Sequence, residues 1–519
     1  MTKNIKILWA DDEIDNLKPQ IIFLQQKGYD ITPVTNGHDA IDKCKEEAFD
    51  VVFLDESMPG ITGLETLTRM KALNSQLPIV MITKNEAEHI MEDAIGAQIT
   101  DYLIKPVKPN QILLTLKKII DNRRLVSEAT TQGYQQDFRH IISAIQMGLD
   151  HQEWVEMYKK LVYWELELEN TLTLDMQEVL AMQKKEANTE FFKFINKNYI
   201  NWVQGRTDAP TMSHNLFRDK ILPALDPDPQ VSNFVVLIDN LRYDQWKIIQ
   251  PILSEAFRFV SEDTFYSILP TSTHYSRNAI FAGMMPAEIE KRFPNMWLND
   301  SDEGGKNLYE SDFLTAQLKT LRFDGKHSYT KITNHQDGQS LVDSVHNLLN
   351  NRLNVIVYNF VDMLSHARTE MEVLKELASD ERAYRSITRS WFTHSPLWQA
   401  LRRIEGKPIN LIITTDHGTV RVQQPAKVIG DRNTTANLRY KHGKNLQYTP
   451  KEVLEIKRPA DAKLPAPNVS STFIFAREDL FFVYPNNYNH YVQFYKNTFQ
   501  HGGVSLEEMI VPIVRFTSK

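Results

Sequence analysis

Over residues 1–122 short apolar runs alternate with stretches of helical spacing. Strands joined by crossover helices in a parallel sheet give that pattern. The runs are Ile5–Trp9, Ile31–Val34, Val51–Leu54, Ile79–Ile82 and Asp101–Ile104, and Pro59-Gly60, Gly63, Pro78 and Lys105-Pro106 close several of them. From Pro109 to Pro210 the chain has no intervening proline, and glycine is sparse (Gly133, Gly148, Gly205). Apolar residues there recur at helical spacing, as in Phe138, Ile141, Ile142 and Ile145, then Trp154, Met157 and Leu161. Residues 123–206 therefore read as several helices joined by short turns, an antiparallel bundle that serves as spacer or rigid coupler. Beyond residue 207 proline returns (Pro210, Pro223, Pro227, Pro229), and Asn233–Asn240, Asn354–Asp362, Asn410–Gly418 and Ile510–Phe516 read as buried strands. Residues 207–519 are thus predicted to form one large α/β domain.

Composition narrows the class. A chain of 519 residues exceeds one hydrophobic core, so two to four domains are expected. With 42% hydrophobic and 24% charged residues it reads as globular, and no fixed-period repeat suggests a solenoid. A net charge of −7 argues against a generic polyanion binder. Cys44 is the single cysteine, so no internal disulfide forms and a metal site must use histidine and carboxylate. The start lacks a signal-peptide order and no run of about 18 apolar residues exists for a membrane helix, so a cytoplasmic location is expected.

Candidate chemistry gathers at strand ends. Asp11 and Asp12 follow the first run, Asp55 the third, Thr83 ends the fourth and Lys105 the fifth. A carboxylate nucleophile beside a divalent cation, with a second cation for the new phosphate, is what an aspartyl-phosphate site requires. The acidic pair, Asp55-Glu56-Ser57-Met58-Pro59-Gly60, Thr83 and Lys105-Pro106 together resemble a receiver domain of the two-component family. That resemblance implies a flavodoxin-like sheet of five parallel strands and phosphorylation of Asp55 by a sensor histidine kinase. It further implies magnesium on Asp11, Asp12, Asp55 and the Ser57 carbonyl, and a switch built on Thr83 and Tyr102.

A second set lies in the last domain. Asp239, Asp362 and Asp416-His417 close predicted strands, His366 follows Asp362 by four residues, and His501-Gly502-Gly503 precedes the last strand. Three carboxylates and three histidines suit two zinc ions, with manganese a credible alternative. Two such ions share the activation of an attacking oxygen and the neutralisation of phosphoryl charge. Pro270-Thr271-Ser272-Thr273 offers hydroxyl nucleophiles just before a helical stretch, Tyr275 to Phe281, where free backbone N–H groups favour phosphate. The ordered set is similar to the alkaline phosphatase superfamily. The wording Leu269-Pro270-Thr271-Ser272-Thr273, Phe281-Ala282-Gly283 and His501-Gly502-Gly503 before Glu507-Glu508 resembles its PglZ subfamily. The threonine-to-glycine interval resembles the phosphodiesterase branch and favours Thr273 over Thr271. The resemblance implies one metal on Asp239, Thr273, Asp416 and His417, the other on Asp362, His366 and His501, and a phosphodiester substrate such as a nucleotide or oligonucleotide.

The basic stretch Arg439, Lys441, His442 and Lys444 either grips substrate phosphates or is a solvated loop. The three-part order resembles response regulators of the type IX secretion system. That likeness implies dimerisation on phosphorylation, an extracytoplasmic-function sigma factor and contact with a cytoplasmic part of the secretion machinery. A non-catalytic, metal-stiffened docking regulator is the rival reading. No helix-turn-helix with a basic recognition helix is present, which argues against direct DNA binding.

Overall fold

The computed structural model describes residues 5–74, 77–84, 99–169, 174–359, 380–431, 434–466 and 470–519. It divides into two compact units, Met1–Gly133 and Tyr134–Lys519. No described helix is long and apolar enough to cross a membrane.

In the first unit β1 (Ile5–Ala10), β2 (Tyr29–Val34), β3 (Val51–Asp55), β4 (Ile79–Thr83) and β5 (Asp101–Ile104) form one sheet in the order β2-β1-β3-β4-β5. Every neighbouring pair is parallel. This is the flavodoxin-like sheet of five parallel strands that the receiver resemblance implies. β3 and β4 are buried throughout because both faces are covered, which is why they read as unbroken apolar runs. Trp9, Phe53 and Ile82 pack with Ile112 and Leu116 on one face. Leu8, Leu54 and Met81 pack with Leu67 and Met70 on the other. The winding reverses between β1 and β3, so their carboxyl ends flank the crevice where doubly wound sheets place their sites. The helix Gly63–Leu73 starts on a Thr62–Glu65 capping box close under that crevice. A Cβ on Gly63 would lie 2.2 Å from the Asp55 carbonyl oxygen, so only glycine fits there.

In the second unit β6 (Ser232–Ile238), β7 (Phe257–Tyr266), β8 (His327–Ile332), β9 (Leu353–Tyr358) and β10 (Ile409–Thr414) join the final strand Ile510–Ser518. The order is β7, Ile510–Ser518, β10, β6, β9, β8. The four strands β10, β6, β9 and β8 are parallel, while Ile510–Ser518 runs antiparallel to both β10 and β7. β6, β9 and β10 are the buried runs read from the sequence. β7 and β8 had no such signal, because most of their side chains are only partly buried or exposed.

The middle of the chain is helical, as its spacing predicts: Pro109–Met147, His151–Leu168 and Leu174–Val203. The last two are no detached spacer. Their buried faces belong to the same hydrophobic cluster as the six-stranded sheet. The Tyr266 hydroxyl donates to the His151 carbonyl at 2.7 Å, Leu269 N donates to the Tyr199 hydroxyl at 2.8 Å, and the Trp202 and Tyr266 rings meet edge-on at 5.7 Å.

Candidate functional site

In the first unit, Asp11 and Asp55 lie at the carboxyl ends of the adjacent strands β1 and β3, and Lys105 just beyond β5. Lys105 Nζ sits 2.9 Å from Asp11 Oδ2 and 2.9 Å from Asp55 Oδ1. Asp11, Asp12 and Asp55 each bring a carboxylate oxygen within 4.8 Å of the others, a grouping able to hold one hard cation. Burial raises the Asp55 carboxyl above its usual range, helped by the charges of Asp11 and Asp12 and opposed by Lys105. Burial alone would lower the Lys105 ammonium, but its bonds to Asp55 and Asp11 hold it above the ordinary lysine value. The Thr83 hydroxyl donates to Glu56, Tyr102 is exposed, and Ser57 is exposed beside the acidic group.

In the second unit Asp239 follows β6 and Asp416 follows β10, two parallel neighbours whose register pairs Thr414 with Leu237. Their carboxylates therefore emerge side by side. Asp239, Asp416 and His417 are fully buried, with ligand atoms all within 4.8 Å of one another. The helix Thr273–Ala282 brings Thr273 to the same point. Its hydroxyl lies 3.2 Å from Asp239 Oδ1 and 3.1 Å from His417 Nε2. His417 Nδ1 lies 3.0 Å from the Gly418 carbonyl, which fixes the proton on Nδ1 and leaves the Nε2 lone pair facing the carboxylates. The His501 ring stacks on His417 at 4.4 Å, and its Nδ1 is 3.3 Å from the Thr271 carbonyl.

The two threonines differ in what they do. Thr271 is fully buried; its hydroxyl donates to the Gly503 carbonyl at 2.9 Å and accepts from Gly502 N at 3.1 Å. Thr273 is only partly buried and faces the acidic cluster. Asp362 and His366, expected as ligands of a second ion, lie outside the described residues.

The donor set fits a divalent cation. Asp416 Oδ1 accepts from Asn240 N at 3.2 Å and His417 N at 3.1 Å, whereas its buried Oδ2 accepts no hydrogen bond among the described residues. A carboxylate oxygen held that way, next to an imidazole lone pair and a second carboxylate, is costly unless a cation completes it. Asn240 adopts φ 62°, a left-handed turn that aims its N–H at Asp416.

Sequence reasoning missed the cation already present. Arg277, four residues after Thr273 on the same helix face, is fully buried. Its Nη1 donates to Asp239 Oδ2 at 2.7 Å and to Asn359 Oδ1 at 3.1 Å and lies 4.0 Å from Asp416 Oδ2, while Nε binds Glu310. Burial alone would weaken the guanidinium charge; Glu310, Asp239 and Asp416 hold it. The i, i+4 spacing from Thr273 was the available signal. Also missed was the pair His274–Asp300, at 3.0 Å, with Asp300 accepting from the Tyr275 and Tyr440 hydroxyls. Burial favours its neutral form, but these partners hold the Asp300 carboxyl below its usual range.

The basic stretch needs correction. Tyr440–Gly443 is a strand, not a loop. Arg439 is fully buried against Glu508, and the Lys441 ammonium is buried, donating to the Thr435 carbonyl at 2.8 Å above the Tyr484 ring. Neither is offered to a phosphate. His442 and Lys444 are partly buried, and the His442 ring stacks on Phe473 at 4.1 Å.

Comparison with known proteins finds three family models along the chain. Residues 7–117 match the response regulator receiver domain, residues 124–203 the PorX response regulator linker domain, and residues 216–516 the BREX system PglZ alkaline phosphatase-like domain. Among curated relatives, the transcriptional regulatory protein ZraR of Salmonella typhimurium is 31% identical over 152 residues, covering 28% of this chain and 34% of that protein. The transcriptional regulatory protein ResD of Bacillus subtilis is 27% identical over 150 residues, 29% of this chain and 61% of that protein. This chain therefore spans less than two thirds of the length of either relative. Among solved structures, the chemotaxis protein CheY4 of Vibrio cholerae is 28% identical with a TM-score of 0.22, covering 22% of this chain and 98% of its own. Carrying a receiver domain at residues 7–117, this chain belongs to the PglZ alkaline phosphatase-like family, whose domain spans residues 216–516.

Proposed function

We propose that the chain is a response regulator, phosphorylated on Asp55, whose effector domain is a two-zinc phosphodiesterase acting on a nucleotide or oligonucleotide. The observation that carries the catalytic part is the convergence of Asp239, Asp416 and His417 around the Thr273 hydroxyl. Divalent ions bound there, zinc or manganese, would acidify the nucleophile and neutralise phosphoryl charge. Asp239, Asp416, His417 and Thr273 would hold one ion, and Asp362, His366 and His501 the other.

The chain's own residues supply the rest. Thr273, at a helix start and the more accessible of the two threonines, attacks phosphorus in line. Its Oγ–P bond forms as the bond to the leaving alcohol oxygen breaks, its proton reaching that oxygen through solvent. Water then cleaves the threonyl ester, releasing the phosphomonoester and restoring the hydroxyl. Thr271 is occupied by Gly502 and Gly503, which supports Thr273 as nucleophile. Arg277 keeps Asp239 oriented. In the receiver, Lys105 is placed to pair with a phosphate on Asp55, and magnesium would sit on Asp11, Asp12, Asp55 and the Ser57 carbonyl. Thr83 and Tyr102 form the switch, and phosphorylation by a sensor histidine kinase favours a homodimer. The linker match and the three-part order support a setting in type IX secretion, with an extracytoplasmic-function sigma factor and the cytoplasmic side of the secretion machinery as partners.

Steady-state cleavage of a bis-aryl phosphate against a mono-aryl phosphate tests the assignment. The diester should turn over faster, and Thr273→Val should cost roughly 10³-fold or more in kcat. Faster monoester turnover, or an unimpaired Thr273→Val chain, contradicts it.

A further inference from the structure

The paired acids Glu507-Glu508 bear no catalytic task in the account above, yet both are buried. Glu508 uses its oxygens on the loops that carry the two histidines. Its main-chain oxygen accepts from Gly418 N at 3.1 Å, next to His417. Its Oε1 accepts from Gly503 N at 2.9 Å, two residues past His501, and from Arg439 Nε at 3.1 Å. Oε2 accepts from Arg439 Nη2 at 2.6 Å and Ser505 Oγ at 2.8 Å. The Gly503 carbonyl in turn takes the Thr271 hydroxyl, which anchors the loop before Thr273. One short helical turn, Leu506–Met509, thus ties down three site loops.

That turn is held from outside the sheet. Asn188, on the helix Leu174–Val203, donates through Nδ2 to Glu507 Oε2 at 3.1 Å and accepts through Oδ1 from Leu506 N at 2.8 Å. Lys184, one turn earlier, has its Nζ 3.6 Å from Glu507 Oε1 and 2.5 Å from Glu165 Oε2. There is no slack between the turn and the site: a Cβ on Gly418 would lie 1.9 Å from the Glu507 carbonyl oxygen. Any displacement of the turn therefore moves the residue following His417.

We propose that Asn188 and Lys184 of the linker helix are positioning residues for the metal site, acting through Glu507 and Glu508 on the loops of His417 and His501. The proposal rests on reading that site as a metal centre. It makes the linker part of the catalytic framework, so a shift of the helix Leu174–Val203 changes metal affinity and turnover together.

A reciprocal swap in the full chain tests it. Asn188→Asp keeps the acceptor for Leu506 N but sets a carboxylate against Glu507; adding Glu507→Gln restores a donor–acceptor pair. Zinc affinity, measured by chelator competition, should fall about tenfold or more in Asn188→Asp and return to within a few-fold of the parent in the double variant, as for other groups behind metal ligands. Affinity unchanged in the single variant, or not recovered in the double, overturns the proposal. Should the parent bind no zinc, the metal reading fails by itself, and amide hydrogen exchange at Gly418 and Gly503 then decides. Faster exchange in Asn188→Asp, reversed in the double variant, supports the clamp; equal exchange in all three chains overturns it.

Discussion

The two acidic clusters sit at equivalent places, the carboxyl ends of adjacent parallel strands, but are built for different lifetimes. In the receiver, Asp11 and Asp55 share one lysine while Asp12 and Ser57 stay exposed. Its supporting cation is a flexible side chain that can follow a phosphate on and off. In the PglZ domain Asp239, Asp416 and His417 are buried, backbone N–H groups pin Asp416, and Arg277 is locked between Asp239 and Glu310. That arrangement suits a site whose ligands must not move between turnovers. Placement at strand ends creates both clusters; the support behind them is what differs.

Removing each supporting cation is the sharpest way to break the comparison. Arg277→Met takes the guanidinium from buried Asp239 and leaves Glu310 with Lys331 at 2.9 Å, so thermal or denaturant unfolding of the metal-free chain should show a loss of about 3 kcal/mol. Zinc should recover part of that loss, because it would occupy the vacated charge environment. Lys105→Met should cost less, about 1 kcal/mol in the presence of magnesium, since a hard cation can replace the ammonium beside the buried carboxylates of Asp11 and Asp55. Magnesium should then raise the melting temperature of the variant more than that of the parent. Equal losses in the two variants would erase the distinction.

The third test sets one lysine against another. Carboxylates hold Lys105 above the ordinary lysine value, whereas burial lowers Lys441 to about 7. A folded-state value below the unfolded one, about 10.4, means that the unfolded chain binds more protons between those limits. Stability attributable to Lys441 therefore rises with pH from about 7 towards 10 and is lost as pH falls back over the same range, with little further change below 7. Between pH 7 and 8 the parent should gain up to about 1 kcal/mol relative to Lys441→Met, read as the difference between their unfolding curves. Parallel curves would show that the ammonium stays charged in the fold.

How much of this was legible in sequence follows from the range of the interactions. Parallel strands covered on both faces leave unbroken apolar runs, so β1, β3, β4, β6, β9 and β10 could be read directly, with Asp11, Asp55, Asp239 and Asp416 at or just beyond the ends of β1, β3, β6 and β10. β7 is exposed along most of its first half and β8 sits half covered, so neither left a run to find. Thr273 and Arg277 share a helix face, a local signal that was open to reading. Arg439 was not: its partner Glu508 lies 69 residues away, and only the fold turns a basic stretch into a buried pair. Asn188 and Glu507, 319 residues apart, are the extreme case.

The central claim is that Thr273 and the carboxylate–histidine cluster form a metal-dependent phosphoesterase. The most direct measurement is bis-aryl phosphate turnover by chelator-stripped protein as zinc is titrated back. Activity should be absent at the start and rise to a plateau at about two equivalents bound to the effector domain. Turnover indifferent to zinc, or none at full occupancy, would contradict the account.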